Sequence, residues 1–195
     1  MKYNLSEITE VIRNRRTVYP ENYSARKVHK EIVQHILQNG TWAPTHGMTQ
    51  PWRFHVYTDE GLQRLAVDLP EFYKKFSPPG KFQESKYTRF KERALNVSVM
   101  IFISVEKDPT EAIPEIEEVE AVACAVQNMH LTATAYGLGA FWSSPKFLYT
   151  KEFGEYLGLT EKGQCLGLFF LGYPAGDWPK SHRKPLEYVS TWIDK

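Results

Sequence analysis

Apolar and polar positions along this chain repeat with two distinct periods. Leu5, Ile8, Val11 and Ile12 recur at helical spacing and predict a helix over residues 5–14. Asn4, three residues before Glu7, supplies a capping-box start. Val28, Ile32, His35 and Ile36 mark a second helix, which Gly40 is expected to end from the C′ position. A loop follows over 42–52, stiffened by Pro44 and Pro51 and loosened by Gly47. Phe54, His55, Val56 and Tyr57 then read as a strand. Thr58 is the expected N-cap of a helix over 61–69, with Asp59 and Glu60 in its acidic first turn. Residues 72–93 are polar, basic and aromatic and are broken by Pro78-Pro79-Gly80, so they read as a surface excursion with a helix after it.

The unbroken apolar run 97–105 predicts a central strand buried on both faces. The longest helix is expected over 115–136, with Val119, Val122, Ala123, Val126, Met129, His130 and Ala133 along its buried face and Gly137 at its end. A short strand over 140–143, a helix over 150–157 and a buried strand over 165–173 follow, the last stopped by Pro174. The tail 176–195 carries Pro179, Pro185, Tyr188 and Trp192, and either frays or lies on another surface. No repeat, low-complexity tract or linker divides residues 1–195. The expectation is one α+β domain with a mixed sheet between helices.

Composition narrows the possible functions. Hydrophobic residues at 42% and charged residues at 24% are ordinary for a globular chain, and a formal net charge of +1 argues against a nucleic-acid protein. Aromatics at 14% are high and point to a rich core, an aromatic pocket or a large subunit interface. The two cysteines, Cys124 and Cys165, each sit in an apolar run and read as small buried hydrophobes rather than a disulfide. No Cys/His spacing suggests a metal site. The N-terminus has no apolar signal core and no stretch is long enough to span a membrane, so a cytoplasmic location is the default expectation.

The candidate chemistry is ligand binding rather than nucleophilic attack. Arg15-Arg16-Thr17 follows the first helix, and Arg183-Lys184 offers a second cationic cluster far downstream. Arginine forks suit phosphate oxygens and a hydroxyl adds a neutral donor, so the two clusters together read as a phosphate clamp. No Walker loop or dinucleotide glycine fingerprint follows a strand. The 42–52 loop carries Thr45, His46, Thr49 and Gln50 on a stiffened backbone, which suits the polar rim of a flat aromatic ligand. A loop satisfying its own backbone is the plainer reading. The acidic run 115–120 reads as a solvated first helical turn, and His130 as a packed histidine. No serine or cysteine nucleophile motif is present, which points to chemistry performed by a bound cofactor.

The order of the motifs resembles the FMN-dependent nitroreductase family, in its compact single-domain branch, along nearly the whole chain. The matching pieces are Asn14-Arg15-Arg16-Thr17, Trp42-Ala43-Pro44 with Gln50-Pro51-Trp52-Arg53-Phe54, Gln127-Asn128 with Gly137-Leu138-Gly139 and Trp142, Gly172-Tyr173-Pro174, and Arg183-Lys184-Pro185. The resemblance implies an α+β fold with a mixed, mainly antiparallel sheet flanked by helices, and a homodimer with FMN at the subunit interface. It implies that Arg15, Arg16, Thr17 and Arg183 grip the flavin phosphate and ribityl region. It places Trp42, His46 and Gln50, with Trp142, Ser143 and Ser144, around the rest of the cofactor. The implied activity is transfer of hydride from NADH or NADPH, through the flavin, to an electron-poor small molecule such as a nitroaromatic or quinone, with no catalytic side chain. A specialised reductase or dehydrogenase acting on an enone, aldehyde or halogenated ring, and a flavin-binding protein with little turnover, are the alternatives. The chain departs from the family pattern at Tyr19, where many members carry an arginine, and at Met48, where others carry asparagine.

Overall fold

The computed structural model describes residues 2–194, so Met1 and Lys195, the two ends of the expected domain, lie outside the described residues. Among the described residues six α-helices and four strands run in the order α1 (Leu5–Asn14), α2 (Lys30–Gly40), β1 (Trp52–Tyr57), α3 (Asp59–Lys75), α4 (Glu84–Asn96), β2 (Val99–Glu106), α5 (Glu115–Ala135), β3 (Gly139–Ser143), α6 (Lys151–Tyr156) and β4 (Gly163–Gly172). The strands form one sheet in the order β1-β2-β4-β3, with every neighbouring pair antiparallel. The parallel component is confined to an isolated bridge between Thr17 and Ala140.

Strand β2 explains the two-layered core. Its side chains alternate across the sheet, as the period of two requires. Val99, Ile101, Ile103 and Val105 join a cluster with α2 and α5, while Met100 and Phe102 join a second cluster with α3, α4 and α6. Phe169 and Leu171 of β4 repeat the first assignment, and Leu168 and Phe170 the second. The register of β2 against β4 shifts between Ile103 and Ser104, and Ser104 is fully buried. Burial, the dominant influence, pushes the thiol of the neighbouring Cys165 up to about 12, so it is an inert core group.

Several expectations change. Gly40 does not end α2 in a left-handed conformation; it is the last residue of the helix, and Thr41 caps it in the ordinary helical region. Its role is close approach. A Cβ there would meet the Met129 side chain of α5 at 2.9 Å. Helix α3 runs on past Leu69 to Lys75, with Pro70 inside it, so the excursion is shorter than its polarity suggests. Ala123 and Cys124 face outward on α5, so Cys124 is not the buried hydrophobe expected. The acidic start of α5 is not fully solvated either. Glu118 is buried, with both carboxylate oxygens accepting the Asp108 backbone N–H at 3.0 Å.

Gly137 does what its position predicts. It lies at φ 70° after Tyr136, its N–H donates to the Thr134 carbonyl, and the Leu138 N–H donates to the Ala133 carbonyl. Those two bonds are a Schellman motif, which satisfies the last carbonyls of α5 and turns the chain into β3.

Candidate functional site

Local structure places the Arg-Arg-Thr segment at a junction. Asn4 caps the start of α1 by accepting the Ser6 and Glu7 backbone N–H groups, and the helix ends at Asn14. The chain then runs beside β3, where the Val18 N–H donates to the Ala140 carbonyl at 3.1 Å. Gly139 permits this approach, because a Cβ there would fall 2.7 Å from the Val18 side chain. Arg15, Arg16 and Thr17 are thereby held against the strand that carries Trp142 and Ser143.

Arg183 arrives from the other end of the chain. The Trp178 indole N–H donates to the Asn14 carbonyl at 2.6 Å, which ties the tail to the end of α1. Arg183 then stands close enough to Arg15 to act on it electrostatically. Burial first, and then Arg183 and Arg16, hold the Arg15 guanidinium below its ordinary value. Among the described residues no carboxylate is ion-paired with any of these three arginines. Arg16 Nη1 donates to the Arg13 and Arg15 carbonyls at 2.6 and 2.8 Å, while its Nε is buried without a partner. Crowded like charges with a buried unpaired donor cost free energy unless an anion answers them.

Two aromatic or heteroaromatic groups complete this region. His130 of α5 is buried edge-on to Phe169, with ring centroids 4.7 Å apart. Burial, helped by Arg15, lowers its pKa from 6.5 to about 4, so it is neutral at physiological pH. Trp142 sits opposite Phe169 across the β3–β4 pairing, and its indole N–H is buried without a partner. Gly167 leaves room for that indole, because a Cβ there would overlap it at 2.1 Å.

The 42–52 loop is placed elsewhere. Trp42 is 81% exposed and Met48 72% exposed. Gly47, Met48 and Gln50 all have positive φ, 57°, 57° and 47°, a strained arrangement of the kind found at binding sites. Part of the loop's polarity is spent internally, since the Thr45 hydroxyl accepts the Gln50 N–H at 3.2 Å and meets the Thr49 hydroxyl at 3.1 Å. His46 Nδ1 pairs with Glu117 at 2.6 Å, near the start of α5. Between positions 117 and 130 the helix advances roughly 20 Å at about 1.5 Å per residue. One chain therefore does not bring His46 to the arginines, whereas Trp42 follows Gly40, which packs on Met129, the neighbour of His130 in α5. Ser143 and Ser144 form a third group, on the wall of a cavity beneath α3 and α4.

The described residues contain no cluster of ligating side chains able to hold a metal ion. The residues do fit a phosphorylated cofactor. Three arginines and a threonine from both ends of the chain offer an anion site, and two buried N–H groups there lack protein partners. Sequence reasoning missed Trp178 and Gly167. A tryptophan in a polar, proline-marked tail was the available signal, because a large ring with one N–H needs both a surface and an acceptor.

The model of the Nitroreductase family matches residues 12–173. A Bacillus subtilis protein named "Putative NAD(P)H nitroreductase YfhC" is 28% identical over 170 residues, which cover 87% of this chain and 85% of that protein. The crystal structure of a nitroreductase-like family protein from Bacillus cereus superposes with a TM-score of 0.81 at 26% identity, covering 100% of this chain and 99% of that one. The structure of a "putative nitroreductase in complex with FMN" from Desulfovibrio desulfuricans shares the fold at 24% identity, with a TM-score of 0.70 and complete coverage of both chains.

Proposed function

This chain belongs to the Nitroreductase family, and from that membership we propose that it is an FMN-dependent NAD(P)H oxidoreductase acting on electron-poor small molecules. The observation that carries the reading is the meeting of Arg15, Arg16 and Arg183 with, among the described residues, no carboxylate ion-paired to them. A relative's name that includes NAD(P)H and a same-fold structure described as holding FMN support it.

When bound, the flavin would accept hydride from NADH or NADPH and pass reducing equivalents to an acceptor such as a nitroaromatic or quinone, in two alternating half-reactions. This chain's residues bind and orient. Arg15, Arg16, Thr17 and Arg183 hold the phosphate and ribityl end. The buried Trp142 N–H supplies a donor, and Ser143 at the end of the same strand and Ser144 just past it add hydroxyls. Neutral His130 fills the floor under the clamp without adding a fourth cation. No side chain is required as a covalent catalyst or proton donor. His46 completes the site only from a second copy, since its own chain pairs it with Glu117, roughly 20 Å along α5 from His130 and the arginines, and Trp42 and Gln50 of the same loop are assigned with it. Exposed apolar groups agree with that assembly: Leu5, Ile8 and Ile12 on α1, and Tyr188, Trp192 and Ile193 on the tail. Among the described residues no helix is long and apolar enough to cross a membrane. A cytoplasmic homodimer is the state we assign.

The test is anaerobic. Purified protein is expected to be yellow, to release FMN rather than FAD on heating, and to bleach with NADH or NADPH. Addition of a nitroaromatic or quinone should restore the colour. Release of FAD, or colour that neither nicotinamide bleaches, overturns the reading.

A further inference from the structure

The basic, aromatic stretch between α3 and α4 is not used by the clamp. It covers a cavity of about 700 Å3, within the range that encloses a small-molecule ligand. Its apolar walls are Tyr73, Phe76, Phe90 and Phe147. These rings brace one another, with Phe90 5.4 Å from Tyr73 and 5.3 Å from Phe147. Ser143 and Ser144, where β3 passes into Pro145, also line it.

Charge distinguishes this cavity from a general apolar pocket. Lys81, Lys86, Arg89 and Lys146 stand around it, with Arg93, and no aspartate or glutamate lines it. Arg93 is already answered by Glu21 at 2.8 Å. Among the described residues no carboxylate is ion-paired with the other four. Elsewhere on the surface lysines do find partners, as Lys27 does with Asp59 and Lys107 with Glu115. Lys81, Lys86 and Lys146, with Arg89 only within electrostatic reach of the Glu21 that pairs Arg93, raise the local potential around a ring-lined hollow and favour a ligand that is flat at one end and negative at the other.

We propose that this cavity is the acceptor pocket and that it selects flat aromatic acceptors carrying a carboxylate or sulfonate over their neutral isosteres. The proposal rests on the reductase reading, because Ser143 and Ser144 are what join the cavity to the cofactor site. For a nitro group the balanced two-electron step is ArNO2 + NAD(P)H + H+ → ArNO + NAD(P)+ + H2O. The nicotinamide gives up hydride, one N–O bond of the acceptor breaks, and its oxygen leaves as water.

Two measurements on the purified flavoprotein test this. Calorimetric titration with 2-naphthoate and with 2-naphthamide compares an anion with its neutral counterpart without turnover. Steady-state kinetics with 4-nitrobenzoate and 4-nitrobenzamide makes the same comparison during reduction. The anion is expected to bind at least tenfold more tightly and to react with at least tenfold higher kcat/KM. Lys86→Gln with Arg89→Gln, both at exposed positions of α4, should bring both ratios to within about twofold. Equal ratios in the unsubstituted protein overturn the proposal while leaving the reductase reading intact. Ratios that persist in the double variant, with only the KM for NADPH raised, also overturn it and give these cations to the reductant. Anion-selective binding in a protein that NAD(P)H does not bleach upholds the selectivity of the cavity and removes the reductase reading instead.

Discussion

At the scale of single residues, Arg15 and His130 make the strongest predictions. Arg15 is partly desolvated and held below its ordinary value by Arg183 and Arg16 as well, a cost that the proposed flavin phosphate would offset. Replacing it by alanine removes a charge-assisted contact worth on the order of 1.5–3 kcal/mol. Arg15→Ala is therefore expected to weaken FMN binding by roughly ten- to a hundredfold, with little change in thermal unfolding of the apoprotein. Flavin occupancy under serial dilution is the readout, and occupancy equal to that of the parent counts against the clamp. His130 concerns pH. Its folded value lies near 4 against 6.5 for the free side chain, so below about pH 6.5 the unfolded chain takes up a proton that the native state refuses. Its contribution is complete above pH 6.5 and is lost as pH falls toward 4, at about 1.4 kcal/mol per unit. Urea unfolding at pH 7 and pH 5 should show a loss on the order of 2 kcal/mol that His130→Leu largely abolishes. Parallel pH slopes in the two proteins would falsify this assignment.

At the scale of elements, periodicity was a good guide where one face of an element is buried. The long helix α5 falls close to its expected place because its buried face imposes the period, and β2 because burial on both faces makes it an unbroken apolar run. Helix α1 keeps the helical period although none of its residues is buried in this chain. Glycine and charge were ambiguous. Gly40 and Gly137 look alike in sequence, yet one admits the Met129 side chain and the other turns the chain through a left-handed residue. Glu118 sits in an acidic run and is still buried, because a loop amide from Asp108 needs its oxygens. The tail gives the prediction at this scale. Trp178 fixes its first part to α1, while Tyr188, Trp192 and Ile193 remain 75%, 85% and 88% exposed. Covered by a second subunit, Tyr188 and Trp192 would each contribute about 1.5–3 kcal/mol. Deletion of residues 186–195 should shift sedimentation toward monomer and lower FMN retention together. A truncated protein that remains dimeric and fully yellow at low micromolar concentration sinks the idea that the tail holds the partner.

At the scale of the whole molecule, the sequence determined the elements, the α+β class and the family. Those depend on local period, turn chemistry and short motifs, and all three are written in consecutive residues. It also singled out Arg15, Arg16 and Arg183, because Thr17 and a second cationic cluster set the pair apart from a solvated helix end. Tertiary structure decided which residues share a space. The meeting of Arg15 with Arg183, some 170 positions downstream, depends on the Thr17–Ala140 bridge and on Trp178 reaching Asn14. The separation of His46 from that cluster follows from the length of α5, which no motif encodes. The same holds for the cationic cavity. Lys86 and Arg89 lie far from Lys146 in sequence, and only the packing of α4 over the end of β3 sets them around one hollow. Period is a property of neighbours along the chain, whereas a binding site is a property of neighbours in space, which the sheet order and helix packing alone create.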